Sequence, residues 1–110
     1  MRQAEIRFND KLAGILTESE SGYVFMYDSN YLNSANAIAV SKTLPLQKIE
    51  FKSSILFSFF DGLIPEGWLL DIAEQNWKLN VRDRMGLLLA CCKDCIGAVS
   101  VHPLTPKNDE

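Results

Sequence analysis

The sequence has few of the residues on which catalytic and cofactor sites depend. Its 110 residues include one histidine, three cysteines and six glycines. No G-x-G-x-x-G or G-x-x-x-x-G-K pattern occurs, so a glycine-rich phosphate loop is absent. A Ser-His-Asp or Cys-His arrangement would have to use His102, and nothing around it resembles a nucleophile motif. We therefore predict a protein that binds a partner, is not an enzyme and holds no cofactor.

Long apolar runs are also missing. The longest, Ile55–Phe60 and Gly86–Cys92, are far shorter than the roughly 20 residues needed to span a bilayer. No apolar stretch follows Arg2, so the N-terminus does not resemble a secretory signal. We expect a cytoplasmic protein that does not interact with membranes.

The cysteines fall in one short stretch, as Cys91, Cys92 and Cys95. A secreted disulfide framework would have an even number spread along the chain, so a reducing compartment fits better. Together with His102 the three could supply four metal ligands, but structural zinc usually uses two separated knuckles. A redox C-x-x-C would open a helix, whereas this one closes a predicted helix. We favour small buried side chains and one partly exposed thiol over a metal site.

Charge is mildly acidic overall and unevenly distributed. The formal net charge is −3 and the pI about 5.1, without the basic footprint of a nucleic-acid-binding domain. Residues 61–76 carry four acidic side chains and no Lys or Arg, and residues 77–93 carry four basic side chains and one acidic. The pattern indicates either ordinary solvated helix faces or an acidic patch that meets a basic partner.

The first third of the chain reads as three strands. Ala4, Ile6 and Phe8 alternate with polar residues, and Asn9-Asp10 suits a tight turn. A second strand follows from Leu12, and Tyr23–Tyr27 is a third, so short connections predict an antiparallel meander. Residues 28–36 are expected to form a loop with one helical turn.

The second half reads mostly as helices. Ser53 or Ser54 is expected to cap a helix through Ile55–Phe60 that ends at Asp61-Gly62. Pro65 suits the first turn of a second helix that runs to about Trp77. The sequence further predicts a third helix from Val81 to about Lys93, capped by Asn80, then a strand over residues 98–101.

Strands followed by helices and one returning strand predict an α+β fold. We expect an N-terminal antiparallel β-meander, joined by the C-terminal strand, with about three helices packed on it. One domain should span residues 1–102, and residues 103–110 should form a polar tail.

Trp68 is the most informative aromatic residue. On a helix from Trp68 to Trp77, five apolar side chains lie on one face and Trp68 points roughly 130° away from its centre. Trp68 either covers a neighbouring loop or anchors an interface, because tryptophan is enriched among binding hot spots. Phe57, Phe59 and Phe60 cannot all face the core from one helix, but we expect core packing to dominate there.

Three segments, in order and spacing, resemble the N-terminal subdomain of HipA-type serine/threonine toxin kinases. They are Leu44-Pro45-Leu46-Gln47, then Phe59-Phe60-Asp61-Gly62-Leu63-Ile64-Pro65-Glu66-Gly67, and finally Gly97-Ala98-Val99-Ser100-Val101. The sequence ends at Glu110 before any kinase core. In size it resembles the HipS-type family of small subunits found in tripartite HipB–HipS–HipT systems.

The resemblance implies an antitoxin that binds and inhibits a separate HipT-like kinase toxin. A HipB-like helix-turn-helix protein would join the ternary complex and supply the DNA binding. The alternative is a scaffold or co-repressor subunit that joins the kinase to the HipB-like protein without inhibiting it.

One departure from the HipA pattern is a bulky aromatic, Trp68, where an arginine often follows the Pro-Glu-Gly segment. We expect this region to occlude the active-site cleft of the kinase. The residues predicted to bind the kinase are Asp61, Pro65, Glu66, Gly67, Trp68 and Asp71.

Overall fold

The computed structural model describes residues 2–64, 83–91 and 98–104. They form an antiparallel five-stranded sheet in the order β4-β3-β2-β1-β5 with three helices. The strands are β1 Arg2–Phe8, β2 Lys11–Ser19, β3 Gly22–Tyr27, β4 Phe51–Ser53 and β5 Val99–Leu104. The helices are α1 Ser29–Leu32, α2 Ser58–Asp61 and α3 Arg84–Cys91. The predicted α+β class, the meander and the returning strand are confirmed.

The β1–β2 hairpin follows directly from its sequence. Ala4 and Ile6 are buried and alternate with half-buried polar residues. Asn9 and Asp10 form the two-residue turn with φ values of 51° and 67°. Asn and Asp tolerate this left-handed region better than most residues, and its twist matches that of the paired strands.

A β-bulge interrupts this hairpin near the turn. Ile6 pairs with Gly14 and Arg7 with Leu12, which leaves Ala13 as the extra residue. The carbonyl of Ala13 accepts a hydrogen bond of 2.8 Å from the N–H of Asp28 instead. Gly14 is required beside the bulge, because a Cβ there would lie 2.5 Å from the carbonyl oxygen of Met26.

The helix predicted over Ile55–Phe60 was given the wrong first residue. Phe51–Ser53 forms an edge strand in which Ser53 pairs with Tyr23, and the helix begins only at Ser58. Phe57 occupies the N-cap and makes no side-chain capping bond, so neither Ser53 nor Ser54 caps it. A three-residue strand is too short to show alternation, and its pairing with β3 decided the outcome. The predicted end at Asp61-Gly62 is confirmed.

The last strand runs further than predicted, from Val99 to Leu104, and includes Pro103. The N–H of Asn9 bonds to the carbonyl of Ala98, so even-numbered residues of β5 turn their backbone groups toward β1. The nitrogen of Pro103 therefore faces the outer side of this edge strand, where the missing N–H breaks no ladder bond.

The core lies between one face of the sheet and the helices. The rings of Phe25 on β3 and Phe60 on α2 meet edge to face with centroids 5.4 Å apart. Met85 and Leu88 of α3 are fully buried, as is Val101 of β5. Phe57 and Phe59 are partly buried against the same cluster, so core packing of the three phenylalanines is confirmed.

Two tyrosines hold the connection between α1 and β4 against the core. The hydroxyl of Tyr27 donates to the carbonyl of Leu44 and accepts a 3.0 Å bond from the N–H of Val40. The hydroxyl of Tyr31, on the predicted helical turn α1, bonds both backbone groups of Ile38. Among the helices in the described ranges, none is long and apolar enough to cross a membrane.

Candidate partner-binding site

Most of the predicted binding residues belong to one stretch that the structure does not describe. Pro65, Glu66, Gly67, Trp68 and Asp71 lie outside the described residues, as does the whole of the helix predicted from Pro65 to Trp77. Asp61 is described, and so are the residues on both sides of this stretch, up to Ile64 and again from Asp83. Residues 65–82 are called the binding segment below. The described residues on either side show where the binding segment joins the fold.

The entry to the binding segment is fixed by α2. Phe60 and Ile64 are buried, and the N–H of Ile64 donates to the carbonyl of Asp61 at 3.2 Å. The N–H of Asp61 donates in turn to the carbonyl of Phe57 at 2.9 Å. Burying a Phe or Ile side chain contributes roughly 1.5–3 kcal/mol, so this turn is held firmly in place.

Asp61 is paired within the chain. Its Oδ1 lies 2.6 Å from Nε of Arg84, the first residue of α3. The two side chains are 43% and 34% exposed, so the pair is solvated and its contribution to stability is small. The contact nevertheless brings the end of α2 against the start of α3.

Arg2 forms a second junction beside the first. Its Nε and Nη2 donate to the two carboxylate oxygens of Glu18 at 2.6 and 2.9 Å. Its Nη1 and Nη2 also donate to Oδ2 and Oδ1 of Asp83 at 2.9 and 2.7 Å. Such two-point contacts suit the planar guanidinium. They connect β1 and β2 to the residue that follows the binding segment.

Asp83 also caps α3. Its Oδ1 accepts a 3.1 Å bond from the N–H of Gly86, and its carbonyl accepts one of 3.0 Å from Leu87. The described helix therefore begins after Asp83, later than predicted; Val81 and Asn80, the predicted start and cap, lie outside the described residues. The hydrogen bonds from Arg2 lower the pKa of Asp83, and those from Asp83 and Glu18 raise the pKa of Arg2.

A shallow groove of 380 Å³ runs along the Asp61–Arg84 pair. Leu56, Ser58 and Gly62 line it together with the two charged residues and Ile55. Ile55 is 71% exposed. The groove places an exposed apolar side chain close to the entry of the binding segment.

Sequence reasoning missed the roles of Arg2, Glu18 and Arg84. Arg2 and Asp83 lie 81 positions apart, and no local pattern links residues at such a separation. The acidic residue near the start of α3 was a usable signal, because Asp is favoured at N-caps. The pairing partner was visible only in the folded chain.

The opposite face of the sheet carries a smaller polar group. Arg7 pairs with Glu5 at 2.7 Å, and Nε2 of His102 lies 2.9 Å from the hydroxyl of Ser100. Within residues 2–64, 83–91 and 98–104, no three His, Cys, Asp or Glu side chains are grouped as metal ligands. Cys91 ends α3, and the predicted C-x-x-C residues Cys92 and Cys95 fall outside these ranges.

The match to known families covers nearly the whole chain. Residues 4–102 match the HipA N-terminal domain model. The chain belongs to the HipA N-terminal domain family. The three sequence segments that suggested this resemblance lie inside the matched region, and each of them includes a buried residue, namely Leu44, Phe60 and Val101 in turn. The family motifs therefore include residues that pack in the core.

Two of the proteins that resemble this chain match almost its whole length. An uncharacterized protein of Haemophilus influenzae is 28% identical over 102 residues, which make up 93% of this chain and 92% of that protein. The solved structure of the N-terminal domain of HipA toxin superposes with a TM-score of 0.77 at 23% identity. The match covers 97% of this chain and 96% of the solved chain, and it establishes the shared HipA N-terminal fold.

Proposed function

We propose that this chain is a non-catalytic antitoxin that binds and inhibits a serine/threonine kinase toxin of the HipT type. The observation that carries the proposal is the family match over residues 4–102. The solved structure that shares this fold is the N-terminal domain of HipA toxin. The Haemophilus relative supports it, because the same domain accounts for 92% of that protein. A domain found almost alone in a relative is suited to act as a separate binding subunit.

The binding segment would supply the inhibitory contact. Trp68 offers a large, rigid aromatic surface, and Glu66 and Asp71 add negative charge near it. Aromatic anchors of this kind dominate many interfaces, and acidic side chains complement the basic residues of a phosphate-binding cleft. We propose that Trp68 enters or borders the active-site cleft of the kinase and blocks it.

The HipB-like partner would complete the complex. The domain carries a net charge of −3, which does not favour direct binding to DNA. A HipB-like helix-turn-helix protein would therefore provide operator binding. The scaffold alternative differs in one respect, since a scaffold would not reduce the activity of the kinase alone.

The experiment measures autophosphorylation of the purified HipT-type kinase with wild-type chain and with Trp68→Ala. Wild type should inhibit, and Trp68→Ala should raise the inhibition constant at least about 30-fold, the effect of losing a central hot spot. Ile49→Ala is the matched control, because Ile49 is a large apolar residue that is 75% exposed and is not among the residues predicted to bind the kinase. It should inhibit like wild type.

Two outcomes contradict the proposal. If Trp68→Ala inhibits and binds as wild type does, Trp68 is not the inhibitory residue. If the wild-type chain binds the kinase without inhibiting it, and growth is rescued only when the HipB-like protein is co-expressed, the chain is a scaffold.

A further inference from the structure

The sheet ends in two edge strands, of which one is covered and the other is open to solvent. Val101 in the middle of β5 is fully buried, and Pro103 removes an N–H from the outer side of that strand. Lys52 in the middle of β4 is exposed, and so is Glu50, which directly precedes the strand. An exposed strand edge is a template for pairing with another chain. The outer edge of β4 is therefore a place at which the sheet can be extended.

The backbone groups of Lys52 point out of the sheet. The N–H of Asp28, which follows β3, bonds the carbonyl of Ala13 on β2, so the odd-numbered residues of β3 turn their backbone groups toward β4. Their partners in β4 are the two outer residues, Phe51 and Ser53. In an antiparallel ladder, the residue between them faces the other way. Across the described ranges, the N–H and the carbonyl of Lys52 make no hydrogen bond.

Exposed apolar side chains are concentrated beside this edge. Ile49 and Ile55, two residues before and two residues after β4, are 75% and 71% exposed, the highest values among the large apolar residues that the structure describes. Phe51 is only partly buried, although its ring stacks on that of Phe25 with centroids 6.2 Å apart. Apolar surface that is concentrated in one place marks interaction sites, whereas scattered single residues do not. The edge therefore offers apolar area as well as free backbone groups.

The charges of this edge favour one register of pairing between two copies of the chain. A two-fold axis can place Lys52 opposite Lys52, Glu50 opposite Glu50, or Glu50 opposite Lys52 of the second copy. The first two registers bring like charges face to face, which is unfavourable. The third is centred on Phe51 and forms two Glu50–Lys52 pairs, one on each side of the axis. By the alternation of the ladder, the outward backbone groups of both residues also meet in this register.

We propose that the outer edge of β4 pairs with the same edge of a second copy of this chain, antiparallel and centred on Phe51. The two five-stranded sheets then form one continuous sheet. A lysine on an edge strand usually discourages pairing, but here Glu50 gives it an opposite charge to meet. Pairing over about three residues per copy buries little area, so the dimer is weak and reversible. The proposal is independent of the proposed function, because the kinase takes no part in it.

The first test measures self-association by sedimentation equilibrium at protein concentrations up to the millimolar range. Wild type should form a reversible dimer. Glu50→Lys and Lys52→Glu should each raise the Kd of the dimer about tenfold, because both cross-strand charge pairs become repulsive. The variant with both reversals restores opposite charges in the same register and should dimerise like wild type. Circular dichroism confirms that each variant is folded.

Mixing the two single variants tests the register itself. Glu50→Lys makes the edge wholly basic and Lys52→Glu makes it wholly acidic, so the unlike copies should pair more tightly than either variant pairs with itself. Lys11→Glu is the matched control, because it makes the same change of charge at an exposed residue at the start of β2. It should dimerise like wild type, and it should not pair with Glu50→Lys more tightly than with itself.

Hydrogen exchange of single amides, followed by NMR, locates the contact. The amide of Lys52 should exchange more slowly in wild type as the protein concentration rises, because its N–H becomes bonded to the second copy. In Glu50→Lys, which retains this amide but pairs weakly, the concentration dependence should be reduced. A wild-type chain that stays monomeric would overturn the proposal. So would a dimer that neither charge reversal weakens, or a Lys52 amide whose exchange is independent of concentration.

Discussion

Gly86 shows how one residue can serve a neighbouring side chain. Alanine is normally favoured over glycine within a helix by about 1 kcal/mol. At Gly86, however, the added methyl would lie 2.4 Å from the Asp83 carboxylate that caps α3 and binds Arg2. The helical preference and the cap therefore conflict at this position.

We predict that Gly86→Ala does not stabilise the protein, because the gain in helix propensity is offset by displacement of Asp83. In an Asp83→Ala background the conflict is gone, and the same substitution should stabilise by about 1 kcal/mol. Urea unfolding of wild type, the two single variants and the double variant measures both values. Equal effects of Gly86→Ala in the two backgrounds would contradict the role given to the Asp83 carboxylate.

At the scale of single residues, the sequence predicted the turn correctly but did not predict which charged side chains pair with each other. Asn9-Asp10 was identified as a turn because these two residues accept positive φ, which is a property of the residues themselves. Arg2 and Arg84, by contrast, look like ordinary surface charges in the sequence. Their partners come from distant parts of the chain, so local chemistry could not identify them.

Among the elements, the connection between α1 and β4 depends on Tyr27. Its buried hydroxyl bonds the N–H of Val40 and the carbonyl of Leu44, and burial raises the pKa of this phenol. Tyr31 makes comparable bonds to Ile38, but Ile38 is exposed and water can replace them. Both tyrosine hydroxyls therefore bond backbone groups, but the contact is buried at Tyr27 and accessible to water at Tyr31.

We predict that Tyr27→Phe destabilises the fold by about 1–3 kcal/mol, because it leaves buried backbone groups without partners. Tyr31→Phe is the matched control and should cost less than about 1 kcal/mol. Denaturant unfolding gives both free energies. Equal costs would mean that water reaches Val40 and Leu44 as easily as Ile38.

The strands also differ in whether they are long enough to show an alternating pattern of apolar residues. β1 and β3 were predicted because alternation extends over six or seven residues. β4 has three residues and was not predicted, and Ser53 was expected to cap a helix, since the strand character of β4 comes from pairing with β3. The start of α3 was placed too early, because the hydrogen bond by which Asp83 caps it is visible only in the folded chain.

At the scale of the whole molecule, the Arg2–Asp83 contact joins the first strand to the last described helix. The pKa of Asp83 is lowered in the folded chain by the hydrogen bonds from Arg2. A depressed carboxylate pKa stabilises the fold above the pKa of an unfolded aspartate, about 3.9. This stabilisation is lost as pH falls through that value toward the folded pKa.

We predict that the free energy of unfolding of wild type decreases more steeply below about pH 4 than that of Asp83→Asn, which cannot titrate at this position. Parallel profiles for Asp83→Asn would show that the Arg2 contact does not contribute to acid sensitivity.

The sequence alone determined the fold class, the meander with its returning strand, and the family, because periodicity, turn residues and ordered motifs are local properties that survive without coordinates. The tertiary structure decided the short edge strand, the cap of α3, and the pairing of Asp61 with Arg84 and of Asp83 with Arg2. These features depend on which distant residues the sheet brings within about 3 Å, a distance at which charges form hydrogen-bonded pairs. No one-dimensional pattern contains that information.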